Sequence, residues 1–125
     1  MEKNSVTNST NIIITTSFSA IHCWSKCPIK EVSYLKNPHR HVFHLKLKFP
    51  VSHNDRDIEF INMKNDINAY IHDFWEGKDI GQESCEMICR TFMVFFNASY
   101  VRVMEDNENG AEMYREEVEY VCYNN

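Results

Sequence analysis

The sequence predicts an α+β domain, an antiparallel four-stranded sheet with two helices on one face, in the order ββααββ. Three observations carry this expectation. Segments toward both ends alternate apolar and polar residues with period two, as strands do. The middle of the chain switches to spacings of three and four, as amphipathic helices do. Turn-forming residues separate the members of each strand pair.

The elements follow in order. Residues 1–11 are polar and rich in Asn, Ser and Thr, and read as a loose leader ahead of one domain over 12–125. Ile12, Ile14, Thr16, Phe18, Ala20 and His22 share one face of a first strand. Cys23 to Pro38, with prolines at 28 and 38, reads as a loop. From His39 to Phe49 the odd positions read His, His, Phe, Leu, Leu, Phe, and the even ones Arg, Val, His, Lys, Lys. This is a half-buried strand with a polar back, and Pro50 ends it. His53–Asp57 is turn-like. Phe60, Met63, Ile67, Tyr70, Ile71 and Phe74 then mark a helix, with Gly77 and Gly81 at its exit. Ser84 suits an N-cap, and Glu86 suits the first turn of a second helix. The apolar stripe of that helix is Cys85, Ile88, Cys89, Phe92, Phe95 and Phe96. Ser99–Glu105 alternates again, Asp106–Gly110 is a strong turn, and a last strand is expected from about Ala111 to Tyr123.

Composition narrows the class. The 125 residues suit a single domain, with no internal repeat or linker. A 43% hydrophobic and 25% charged chain can fold. The net charge of −5 disfavours a basic nucleic-acid binder. Three Gly and three Pro exclude collagen-like and low-complexity classes. No apolar run approaches the ~20 residues of a membrane span, so no membrane partner is expected. Five cysteines cannot all pair. The early apolar run Ile12–Ile14 is short for a secretory signal, so a reducing, cytoplasmic compartment is expected. A chain this short buries only about two-thirds of its unfolded surface, which places any sizeable ligand site in a cleft or between subunits.

Several side chains are candidates for chemistry. His39 and His41, two apart on a strand, leave the same face, and His22 ends the matching face of the preceding strand. Three imidazoles therefore converge at one end of the sheet. Three neutral histidines leave a fourth tetrahedral position for water or substrate, as in a catalytic zinc site. The plainer reading is three polar residues at a strand end. Glu105 lies in phase with the inward Val101 and Val103, where a carboxylate is unusual without a partner. It could accept paired hydrogen bonds from the N–H and NH₂ edge of a heterocycle, or stand solvated at the mouth of a turn. Cys27, with Cys23, lies in the loop between the histidines and is a candidate nucleophile or base. Cys85 and Cys89 suit helix packing, and Cys122 suits a structural place in the last strand. His72 precedes Asp73, a possible proton relay, although adjacent helix residues do not face each other. Trp24 and Tyr34 suit stacking on a planar ligand.

These residues resemble the 6-pyruvoyl-tetrahydropterin synthase family, which includes the 6-carboxytetrahydropterin synthases. Phe18-Ser19-Ala20-Ile21-His22 resembles its Phe-x-Ala-x-His motif, and His39-Arg40-His41 its His-Gly-His. Asp57-Ile58-Glu59-Phe60 resembles the acid-Phe pair opening a helix. Ser84-Cys85-Glu86 resembles its Thr-Ser-Glu, and Val101-x-Val103-x-Glu105 the strand ending in a pterin-anchoring glutamate. The resemblance spans roughly residues 12 to 120. It implies a tunnelling fold whose subunits join sheets into an oligomeric barrel, a hexamer or similar. It also implies zinc on His22, His39 and His41, and a pterin or purine-like ligand near a subunit boundary held by Glu105. Arg40 replaces the family's glycine, no cysteine stands about five residues before His39, and the Leu-Asp-His tripeptide is absent. Cys27 and His72 are the nearest substitutes. Two functions follow as expectations: a zinc-dependent lyase or related activity on a pterin or its precursor, or a non-catalytic oligomeric module binding a purine nucleotide or pterin.

Overall fold

A computed structural model describes residues 8–116. Its element order is β1 (Thr10–His22), β2 (His39–Val51), α1 (Phe60–Phe74), α2 (Cys85–Phe96), β3 (Tyr100–Glu105) and β4 (Asn109–Tyr114), with a short 3-10 helix, Lys30–Lys36, between β1 and β2. The four strands form one antiparallel open sheet in sequential order, with β1 and β4 at its edges. This is the α+β arrangement that the periodicity predicts.

Strand β1 starts at Thr10, inside the segment read as leader, because its long pairing with β2 runs from Thr10 opposite Val51 to His22 opposite His39. The loop expected over Cys23–Pro38 contains the 3-10 helix, an element with no apolar stripe and no buried residue. Strand β4 ends at Tyr114; the rest of the expected final strand beyond residue 116, with Cys122, lies outside the described residues.

Both helices cover the same sheet face. Ile14, Phe18, Phe43, Leu45, Leu47, Val101 and Val103 meet Ile67, Ile71, Ile88, Cys89 and Phe92 in one core. The helix caps are side-chain made. Glu59 accepts from the backbone N–H groups of Ile61 and Asn62, and Ser84 accepts from that of Met87. The ends of the predicted stripes are not all buried. Phe60, Phe74 and Phe95 are exposed, while Met93 turns inward. Phe95 instead stacks on Tyr70, ring centroids 4.1 Å apart.

The connection after α1 repeats the logic of an added strand. Gly77 N–H donates to the Ser19 carbonyl, Ile21 N–H to Lys78, Ile80 N–H to Ile21 and Cys23 N–H to Gly81. This segment covers the upper half of the β1 edge and delivers residues 81–84 beside His22. On the opposite edge, Gly110 faces Met104. A Cβ at 110 would run into the Val103 carbonyl oxygen and approach the Met104 Cα to 2.7 Å, so only glycine fits this close approach.

Candidate metal centre

Strand lengths create the site. β2 pairs with β3 only from Phe43 to Lys48, whereas its pairing with β1 continues to His39. His39 and His41 therefore project beyond the end of β3, on the core-facing side. His22 sits directly across from His39. The three rings lie edge to face, with centroids 4.5 Å (His22–His39), 5.3 Å (His22–His41) and 4.9 Å (His39–His41) apart. Phe43 forms the floor, 5.2 Å from the His22 ring.

The hydrogen bonds fix which nitrogen each ring presents. His22 Nδ1 lies 2.6 Å from the Glu83 carbonyl oxygen, and His39 Nδ1 lies 2.8 Å from that of Asn37. A carbonyl only accepts, so both Nδ1 atoms carry the proton. His41 Nδ1 lies 2.7 Å from Asp106 Oδ2 and donates to that carboxylate. In the neutral rings, all three Nε2 atoms are then left with a lone pair. One ligand nitrogen from each ring lies within 4.8 Å of the others. Histidines that ligate metals are held in this way, by carbonyls or a carboxylate on the second nitrogen.

The environment of His22 is a further test of fit. Its Nε2 is buried and faces Glu105 Oε2 3.0 Å away, close enough for the protonated ring to donate to the carboxylate. The same oxygen is 3.8 Å from His41 Nε2. A lone pair facing a carboxylate is unfavourable unless a cation or a proton lies between them. A proton on the ring answers this as well as a cation does, and the spacing of one nitrogen from each of His22, His39 and His41 is what could hold a metal ion. The Glu105 carboxylate also holds His22 above the ordinary histidine value of 6.5, against the opposing effect of burial, and His22 in turn holds Glu105 below the usual carboxylate range.

The pH consequence has a definite sign. In metal-free protein, the raised His22 pKa contributes stability that is fully present below about pH 6.5 and is lost as pH rises through the raised value. The lowered Glu105 pKa contributes stability present above its ordinary value of 4.5 and lost as pH falls through the lowered one. Metal binding has the opposite dependence on His22, because it needs the unprotonated ring. Affinity for zinc, measured by competition with a chelating dye, is expected to fall by at least about tenfold per pH unit in acid, since each ligating ring must be unprotonated; a pH-independent affinity between pH 8 and 5 would contradict it.

A cleft of about 530 Å³ opens beside the histidines. His22, His39, Trp24, Glu105, Gln82 and Cys23 lie on its wall. Trp24 is half exposed there, as suits a stacking residue. Tyr34 is not on this wall; it lies on the exposed 3-10 helix, and its neighbour Leu35 lines the cleft instead. Cys27 is buried away from it, with its thiol 3.7 Å from the carbonyl oxygens of Ile29 and Val32. His72 is exposed on α1, 3.3 Å from Asp73, and is neither on this wall nor grouped with the other three histidines. Burial pushes the Cys85 thiol up to about 12 and that of Cys89 to about 11, so both suit packing. Arg40 points to the other face, where its Nη1 donates to Ser19 Oγ.

Sequence reasoning missed Asp106, Glu83 and Asn37. Asp106 reads as a turn residue, yet its carboxylate also accepts from Val42 N–H and anchors His41. Its position directly after Glu105 was the available signal. Glu83 and Asn37 act through backbone carbonyls, which carry no residue-type signature. No protein-family model matches the chain, and no curated protein matches it.

Proposed function

We propose that His22, His39 and His41 hold a zinc ion and that the protein is a diverged relative of the 6-pyruvoyl-tetrahydropterin synthases, acting as a zinc-dependent lyase or related enzyme on a pterin or pterin precursor. The observation that carries this reading is one ligand nitrogen from each of three histidines within 4.8 Å of the others, with His22 and His39 on the wall of an open cleft. Bound zinc supplies Lewis acidity toward a substrate carbonyl or hydroxyl oxygen. Glu105, ionised and on the cleft wall, accepts hydrogen bonds from an N–H and NH₂ edge or a proton released beside the ligated oxygen. Trp24 offers a ring face for a flat heterocycle.

A second reading is a non-catalytic module that binds a purine nucleotide or pterin. The absence of Cys27 and His72 from the cleft wall favours it, because these were the expected proton carriers. Incubation with dihydroneopterin triphosphate separates the two. Turnover abolished by His39→Ala supports the enzyme. Stoichiometric zinc with a co-purified nucleotide or pterin and no turnover supports the module. Purified protein without near-stoichiometric metal would overturn both.

The resemblance also carries the tunnelling fold, with sheets of several subunits joined into a barrel. Two features support assembly. The sheet leaves the lower half of β1 and the whole of β4 as unpaired edges among the described residues. Phe74, Val94 and Phe95 leave apolar surface exposed on the helices. The solution mass is expected well above 14.8 kDa; a clean monomer would remove the inter-subunit site. Among the described residues Cys23, Cys27, Cys85 and Cys89 form no disulfide, which suits a reducing, cytoplasmic compartment. No described helix is long and apolar enough to cross a membrane.

A further inference from the structure

The sheet face turned away from the helices has its own chemistry. The even positions of β2 put His44, Lys46 and Lys48 there, and Arg102 of β3 lies beside them. Lys46 is directly opposite Arg102 in the β2–β3 register. Like charges placed directly opposite each other on antiparallel strands destabilise the pair, and this one persists in a chain of net charge −5.

No described carboxylate closes an ion pair with either side chain. Glu112 is opposite Arg102 on β4, but its Oε1 accepts from the Tyr100 hydroxyl at 2.7 Å. Asp106, the carboxylate near His44, is held by His41 and the Val42 backbone. Among the described residues, Lys46, Arg102 and His44 form no ion pair. Lys48 is occupied differently, over the Tyr100 ring at 4.6 Å. A cavity of about 420 Å³ opens on this face, lined by His44, Lys46 and Arg102 with Thr15 and Ser17 of β1. Thr15 stands opposite Lys46, and Ser17 opposite His44.

We infer that this cavity is a binding site for a phosphate-bearing anion, separate from the histidine centre on the other face of the sheet. The Arg102 fork and the Lys46 ammonium supply charge-assisted donors to phosphate oxygens. The Thr15 and Ser17 hydroxyls add neutral donors at the rim. A bound polyphosphate removes the Lys46–Arg102 repulsion, so binding and stability are coupled.

Thermal unfolding with inorganic pyrophosphate as the probe tests this at low ionic strength. Pyrophosphate is expected to raise the wild-type melting temperature by several degrees, an effect that fades as salt screens the charges. The double variant Lys46→Gln, Arg102→Gln is expected to melt higher than wild type without ligand and to lose the response. Each single variant is expected to bind at least about tenfold more weakly, which keeps the test open if the double variant folds poorly. Pyrophosphate also ligates zinc, so a response that survives in the substituted proteins places binding at the histidine centre and overturns the inference. No response in wild type overturns it as well. Zinc content unchanged in all variants separates this outcome from failure of the metal reading.

Discussion

Zinc added to metal-stripped protein is expected to raise its melting temperature by roughly 10 °C, and His39→Ala is expected to abolish that rise. The size follows from linkage. A ligand present at a hundred times its dissociation constant stabilises the folded state by about 2.7 kcal/mol, and each kcal/mol moves the midpoint of a domain this size by about 3–6 °C. The unfolded chain competes less well, because its imidazoles and thiols are not held in one geometry, and what it does bind makes the shift smaller. In the folded protein, Glu83, Asn37 and Asp106 have already selected the Nε2-presenting form of each ring. His39 is the better residue to remove, since it is only half-buried and its loss leaves the core intact, whereas His22 is buried. Calorimetry with and without zinc makes the measurement. An equal rise in the variant would place the metal elsewhere and end the three-histidine assignment.

Phe92→Ala is expected to cost about 3–5 kcal/mol, the range for truncating a fully buried aromatic ring. Phe92 is completely buried on α2. Its ring lies 5.3 Å from Trp75, 5.4 Å from Tyr70, 6.1 Å from Phe96 and 6.2 Å from Phe18, so it joins both helices to the sheet. The cavity left behind touches residues of three elements, and none of them can close it by moving alone. Urea unfolding should show the midpoint falling with little change in slope. A loss under about 1 kcal/mol would mean that the helices do not pack on the sheet as described. Phe95→Ala, three positions on, is a useful contrast, because that ring is exposed and should cost much less.

Much of the fold was legible because burial on one face imposes a period on the sequence. The alternation of β2 from His39 to Phe49 could only be a strand with one side inward, and Ser84 marked the start of α2 through its cap. The stripe ends were less legible. Phe60, Phe74 and Phe95 follow the helical period but are exposed, and periodicity does not record where a partner surface ends. The 3-10 helix was illegible for a related reason: it buries nothing.

The candidate centre divides in the same way. Strand phase alone brought His22, His39 and His41 to one face, and placed Glu105 inward with Val101 and Val103. That much is local, since side-chain direction alternates along any strand. Whether Cys27, His72 or Tyr34 reached the same place depended on how a loop and a helix lie in space, and there residue type was no guide. Cys27 turned to its own loop's carbonyls, and His72 to solvent.

By itself, then, the sequence determined the order of the elements, the buried face of each and the convergence of the three histidines, because short-range periodicity encodes all of these. Only the tertiary structure decided which nitrogen each histidine presents. The carbonyl that orients His22 comes from Glu83, 61 residues away along the chain. The carboxylate that orients His41 comes from Asp106, 65 residues away. A tautomer is chosen by its hydrogen-bond partner, and here two of the three partners are brought in by the fold.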